Sequence, residues 1–434
     1  MISKGLPGFR DFPPEDLALR AHIFRVWREV AARYGFEEYD GPPLEPLDLY
    51  TGKSGDEIVA QLYSFTDKGE RQVALRPEMT PTLARMIGAR ANGMKKPIRW
   101  FSIPQLFRYE RQQRGRLREH FQLNCDLIGE AGPLADAEII ALAIDVMRGF
   151  GLGPEDVRVR VSDRRFVAFR LAAAGVPDEL MPGVFRAIDR MEKDPDGASR
   201  MLGELQLAPG AIDWIVRLTD RGHVDDLLRA RATVSTPLGA TLDWLDKIGL
   251  ADWIDFDPTI VRGLAYYTGT VFELFDAKRT LRAICGGGRY DTLLQSLGGA
   301  DLPALGFGMG DVVLGELLKD RGLHPAIAPS IDLFVAAVTS DDVPYVLKLA
   351  HELRDAGFRV EYALNGNPVG KQLNLANARG ARFAIVIGPD ERARGEVQLK
   401  DLMAKTQEAV NNTSLVSHLS SLVASRPMSH DPRP

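Results

Sequence analysis

From Phe107 to Asp126 the chain reads Phe-Arg-Tyr-Glu-Arg-Gln-Gln-Arg-Gly-Arg-Leu-Arg-Glu-His-Phe-Gln-Leu-Asn-Cys-Asp. Five arginines, Arg108, Arg111, Arg114, Arg116 and Arg118, fall within 11 residues around Gly115. Guanidinium groups stay charged and present fixed forks of donors, which suits phosphate oxygens. Strand-like sequence on both sides predicts a hairpin with a mobile, positive tip. A solvated basic loop has the same composition, so this segment does not decide by itself. Pro258-Thr-Ile-Val-Arg-Gly-Leu-Ala-Tyr-Tyr-Thr-Gly-Thr-Val-Phe-Glu273 sets Arg262 before a glycine and then pairs Tyr266 with Tyr267. Aromatic core packing would read alike. Leu75-Arg-Pro-Glu-Met-Thr80 places the Glu78 carboxylate and the Thr80 hydroxyl just before a helix. Ala283-Ile-Cys-Gly-Gly-Gly-Arg-Tyr-Asp291 and Leu305-Gly-Phe-Gly-Met-Gly310 read as glycine turns. Backbone there can approach a nucleotide closely or simply pack tightly.

These segments need elements to position them. Phe24, Trp27, Ala31 and Tyr34 recur at helical spacing and Gly35 ends the run. Residues 36–75 read as short strands and turns, 81–91 as a helix, 99–103, 105–109 and 122–129 as strands, and 133–150 as a long helix. Residues 165–250 are rich in Ala, Leu, Arg and Asp and read as helical throughout. Strand character returns at Thr270-Val-Phe-Glu-Leu-Phe, and a helix opens near Asp311. Beyond Pro329, strands at 331–338, 358–364 and 383–388 alternate with helices at 343–356 and 370–379. That alternation predicts a small, mostly parallel sheet covered by helices.

Bulk properties exclude several classes. At 434 residues the chain has room for two or three domains. It has no membrane-length apolar run, and 45% hydrophobic with 26% charged residues is a globular balance. A net charge of −5 argues against nonspecific coating of nucleic acid, though not against docking one RNA through local patches. Cys125 and Cys285 are the only cysteines, and the seven histidines show no ligand spacing, so neither a disulfide framework nor a metal centre is expected. The opening residues lack the apolar core of a signal peptide, and a cytoplasmic location is the expectation.

In this order and spacing, the segments resemble the class II histidyl-tRNA synthetases from about Gly5 to about Val410. Phe36 to Glu45 is similar to the first, dimer-forming motif, Phe107-Arg-Tyr-Glu with Gly115-Arg to the second, and Gly306 to about Leu317 to the third. Arg262-Gly-Leu-Ala-Tyr-Tyr resembles the segment peculiar to the histidine enzymes. The resemblance implies an α+β catalytic domain with an antiparallel sheet (1–164 and 251–325), a helical insertion (165–250), a C-terminal α/β anticodon-binding domain (330–425) and a disordered tail (426–434). It implies a homodimer that joins L-histidine to its tRNA using ATP with Mg²⁺. Glu78, Thr80 and Gln122 would hold the histidine ammonium, and Asp126 and Tyr267, beside Tyr266, the imidazole. Arg108 and Arg262 would act at the α-phosphate, and Arg116 at the outer phosphates. Arg111 and Arg114, with Lys371, Arg379 and Arg382 of the C-terminal domain, would contact tRNA.

The resemblance is imperfect at four positions, two of which, Val313 and His120, flank the adenine. Val313 stands where the third motif carries an Arg, His120 where an aromatic Phe stacks, Ala265 where an Asp is usual, and Asp126 where Glu is commoner. Imidazole stacks on a base much as phenyl does, so the expectation is a variant site in which His120 and apolar packing hold adenine. A catalytically inert relative, the histidine-sensing regulatory subunit of ATP phosphoribosyltransferase, would also explain an eroded adenine side. That subunit typically lacks the C-terminal domain and need not keep Arg262.

Overall fold

Alternation along one strand organises the protein's larger part. In Glu119–Ile128 the side chains of Leu123, Cys125 and Leu127 enter a core, while His120, Gln122, Asn124 and Asp126 face cavities on the opposite side. The computed structural model describes residues 5–51, 59–110, 115–191, 194–217, 236–260, 267–297, 299–325 and 331–424. They fall into two compact units, Met1–Pro325 and Ala326–Pro434.

In the first unit the main sheet runs Glu37–Glu38, Ile98–Ser102, Glu119–Ile128, Ala304–Gly310, Cys285–Arg289, Thr270–Asp276, Val157–Asp163, Ile254–Phe256. Gln105–Phe107 pairs with the start of the Glu119 strand. Interior pairings are antiparallel; the two outermost are parallel. One face is covered by the Pro133–Gly149 helix, whose Ile139, Ile140, Leu142, Ala143, Ile144, Val146 and Met147 are fully buried. Pro133 starts this helix where no N–H is needed. The Pro14–Arg33 and Asp311–Asp320 helices join the same core through Ile23, Trp27, Val30, Leu314, Leu317 and Leu318.

Several elements depart from the sequence reading. Cys285–Arg289 and Ala304–Gly310, read as turns, are central strands. Glycine carries no hydrophobic signal, so their period was hidden. At Gly287 a Cβ would meet the Gly306 carbonyl oxygen at 2.6 Å, so the close approach of these strands demands the missing side chain. Val157–Asp163 was not anticipated, although Val-Arg-Val-Arg-Val alternates with period two. Within 165–250, the Arg164–Ala173, Met181–Met191, Pro195–Glu204 and Pro209–Arg217 helices share their own core, including Val167, Leu171, Val184, Leu202 and Ile215. The Pro237–Lys247 helix instead packs on Pro133–Gly149, with Leu238, Leu242 and Leu245 in the main core.

The second unit is built on a sheet ordered Val360–Tyr362, Leu333–Ala337, Phe383–Ile387, Glu396–Asp401, Thr406–Asn411. The first two pairings are parallel and the last two antiparallel, so the sheet is mixed where a mostly parallel one was expected. The last pairing is a hairpin, its turn fixed by the Asp401 carboxylate accepting from the Met403 and Ala404 amides. The tail from 426 lies outside the described residues.

Candidate active site

His120, Gln122, Asn124 and Asp126 open on two cavities that share a wall. The smaller, about 90 Å³, is lined by Glu78, Thr80, Gln122, Asn124, Asp126, Tyr267 and Tyr290. Its floor is Gly286, Gly306 and Gly308 from the glycine strands. Arg76 secures the approach to Glu78 and Thr80: it donates to Asp40 at 2.8 Å and to the Gly41 and Gln105 carbonyls at 2.6 and 3.0 Å. Asp126 is buried, and the Tyr290 hydroxyl donates to it. Burial raises the Asp126 pKa to about 7 against the lowering effect of that hydrogen bond. Burial likewise raises the Tyr267 phenol, so it stays a neutral donor and acceptor. The Tyr267 and Tyr290 rings lie 6.4 Å apart.

The larger cavity, about 610 Å³, is lined by Arg108, Arg116, His120, Gln122, Glu273, Gly286, Gly308 and Val313. Arg160, Asp189, Arg279 and Arg282 also line it. Arg108, Gln122, Gly286 and Gly308 line both cavities. Arg108 is aimed by donation from Nε to the Pro77 carbonyl at 2.9 Å. Arg116 pairs with Glu110. Burial, with Arg108 and Arg10 nearby, pushes the His120 pKa down to about 3, so its ring is a neutral aromatic at working pH. Phe121 points the other way, packing with Phe12 and Phe24 under the Arg20 guanidinium. The order His-Phe therefore gives the cavity an imidazole through strand register. Arg10 bridges Glu119 at 2.6 Å and Asp311 at 2.9 Å, and Asp311 accepts from the Phe121 amide at 2.9 Å. This network ties the His120 strand to the helix bearing Val313.

Of the residues expected from sequence, Glu78, Thr80, Arg108, Arg116, Gln122, Asp126, His120 and Tyr267 line these two cavities. Arg111, Arg114, Arg262 and Tyr266 lie outside the described residues. In the second unit Lys371 is exposed on Val369–Ala378, and Arg379 pairs with Glu361 at 3.3 Å. Arg382 donates to the Leu422 carbonyl at 3.1 Å and packs on Phe383, so it holds its own unit together. Sequence reading passed over Asn124, Asp189, Glu273, Arg282 and Tyr290. The signals were a period-two polar face on the Glu119 strand and a tyrosine next to a glycine run. Among the described residues, no three His, Cys, Asp or Glu side chains form a metal-binding group.

An antiparallel sheet backed by helices, carrying a small polar pocket that meets a larger arginine-lined cavity, is the arrangement of a class II aminoacyl-tRNA synthetase catalytic domain. Comparison with known proteins narrows the class. The family model described as histidyl-tRNA synthetase matches residues 8–310, and that of an anticodon binding domain matches 332–422. The chain is 48% identical to a histidine–tRNA ligase of Opitutus terrae, over 94% of this chain and 95% of that protein. It is 41% identical to a chloroplastic/mitochondrial histidine–tRNA ligase of Arabidopsis thaliana, over 94% and 85% respectively. A crystal structure of histidyl-tRNA synthetase from Nostoc sp. PCC 7120 shares the fold, with a TM-score of 0.80 at 24% identity, over 97% of this chain and 100% of that one. The chain belongs to the histidyl-tRNA synthetase family.

Proposed function

We propose that this chain is a histidine–tRNA ligase that activates L-histidine with ATP and passes it to the 3′ end of histidine tRNA. The observation that carries this reading is the shared wall: Arg108 and Gln122 line both the small polar pocket and the large cavity. A histidine in the first presents its carboxylate where Arg108 also meets the α-phosphate of an ATP in the second. Attack of that carboxylate on the α-phosphorus expels pyrophosphate and leaves histidyl-adenylate. A ribose hydroxyl of the tRNA then takes the acyl group and AMP departs.

The side chains suit each step. Glu78 offers a carboxylate to the ammonium, and Thr80 and Gln122 offer further polar groups beside it. Asp126 and Tyr267 pair with the two imidazole nitrogens, contacts that an apolar amino acid cannot make, which discriminates strongly. Arg108 and Arg262 offset the charge that builds on phosphate oxygens; neither acts as a base, because Arg does not deprotonate in proteins. His120 and Val313 supply an uncharged surface for adenine, and Arg116 reaches toward the outer phosphates. Mg²⁺ would accompany the triphosphate and share its charge; Glu110, Asp189 and Glu273 are carboxylates on that wall. Lys371 and Arg379, with Arg111 and Arg114, serve tRNA. The protein works as a homodimer in the cytoplasm, a reading supported by the dimer-forming first motif and two unpaired, buried cysteines. The inert regulatory-subunit reading is disfavoured by the C-terminal anticodon-binding match.

Histidine-dependent pyrophosphate exchange, followed by charging of histidine tRNA, tests the proposal. Arg108→Ala and Arg262→Ala should each lower kcat for exchange by about 10²–10³, the cost of losing one contact to developing oxyanion charge. A purified protein that binds histidine yet catalyses no exchange would instead be a sensor.

A further inference from the structure

The nucleotide cavity carries arginines besides Arg108 and Arg116. Arg160 and the hairpin residues Arg279 and Arg282 all line it. Arg160 is committed to the fold: it pairs with Asp257 at 2.7 Å and lies over Phe275. Arg279 sits in the turn itself at a positive φ of 54°. Arg282 is placed differently. A Cβ built on Gly115 would lie 3.9 Å from the Arg282 Cδ and 3.2 Å from the Val313 Cγ2. The Arg282 stem thus lies against the backbone that leads into Arg116, beside the apolar Val313. Leu117, Val312, Leu281 and the neutral His120 line the same cavity.

The hairpin that carries Arg282 is braced. Asp276, fully buried, accepts from the Thr280 hydroxyl at 2.7 Å and from the Thr280 and Lys278 amides at 3.1 and 3.3 Å. Arg321, at the end of the Asp311–Asp320 helix, donates to Asp276 at 2.7 Å. After the turn, the Ile284 amide donates to the Leu274 carbonyl at 2.8 Å and the Ile284 carbonyl accepts from Gly310 at 3.2 Å. The stem is therefore fixed to both the sheet and the helix bearing Val313, while the Arg282 side chain remains exposed.

We propose that Arg282 is a nucleotide-binding residue, its guanidinium lying against the purine base beside Val313. The inference rests on the proposed reading of the large cavity as the ATP site. A base offers a flat π face and edge acceptors. A planar guanidinium stacks on the first and donates to the second, which a lysine ammonium cannot do equally. The positive charge missing at position 313 is then supplied from the neighbouring hairpin.

The test uses the full-length protein with Arg282→Ala and Arg282→Lys. Binding of ATP and of adenosine, which has no phosphate, is followed by calorimetry, and exchange kinetics give the histidine KM. Loss of the contact should weaken both ligands about 3- to 30-fold, the range that one cation–π or stacking contact is worth. The histidine KM and the Tm should not move, and Arg282→Lys should recover only part of the loss. Adenosine binding equal to wild type in Arg282→Ala would overturn the proposal, whatever happens to ATP. Calorimetry reads this contact even if the wild-type protein catalyses no exchange, and that separate result would defeat the ligase reading alone.

Discussion

In the proposed histidine pocket, Asp126 ties specificity to stability. Its folded pKa of about 7 lies above the roughly 3.9 of a carboxylate in an unfolded chain. Between those values the native protein keeps a proton that the unfolded chain releases. Stability therefore falls as pH rises across that window, and the loss is complete above about pH 7. Asp126→Asn removes the charge and keeps an acceptor for the Tyr290 hydroxyl. The variant should gain on the order of a few kcal/mol relative to wild type at high pH, and little near pH 4, in thermal melts at several pH values. Histidine binding should respond in the opposite sense. The affinity advantage of wild type over Asp126→Asn should widen as pH rises through about 7, because the ionised carboxylate is the better acceptor for an imidazole N–H.

Two neighbouring strands deliver the wall that the two cavities share. In Glu119–Ile128 one face supplies His120, Gln122, Asn124 and Asp126, and the facing strand, Ala304–Gly310, supplies glycines opposite them. Gly308 is paired with Asn124, and a Cβ there would meet the Gln122 amide at 2.7 Å. Gly308→Ala should displace that amide while leaving the backbone in place. The expected result is a histidine KM raised about tenfold, the effect of losing roughly one hydrogen bond, with an unchanged circular-dichroism spectrum. Gly287→Ala, whose Cβ meets backbone, should instead destabilise the fold by about 1–3 kcal/mol in urea melts. The helices Pro14–Arg33, Thr80–Gly88 and Pro133–Gly149 were legible from apolar spacing and punctuation. The glycine strands were not, because their identity lies in what approaches them rather than in what they carry.

At the scale of the molecule, the chain divides into Met1–Pro325 and Ala326–Pro434, each with a core of its own. All described residues assigned to amino acid and nucleotide lie in the first unit, and Lys371 and Arg379 lie in the second. A protein ending at residue 325 should retain histidine-dependent pyrophosphate exchange and lose most charging of tRNA at low tRNA concentration. In the full chain, tRNA affinity should fall steeply with salt, and Lys371→Ala with Arg379→Ala should reduce that slope by about one to two phosphate contacts in filter binding. Arg382→Ala should act through stability instead, since its partners are internal.

Residue chemistry and order were enough to find the arginine hairpin, the Glu78–Thr80 segment, the polar pair Gln122 and Asp126, and the family they resemble. Those features are local: each is a run of side-chain types that one strand or one helix start presents together. The tertiary structure decided that His120 rather than Phe121 faces the cavity, that Tyr290 meets Asp126, and that Arg282 stands beside Val313. Each of these depends on register or contact between segments from about 30 to more than 160 residues apart, or on which face of a strand is covered by helices. No local pattern encodes that pairing; it exists only once the sheet has closed over the Pro133–Gly149 helix.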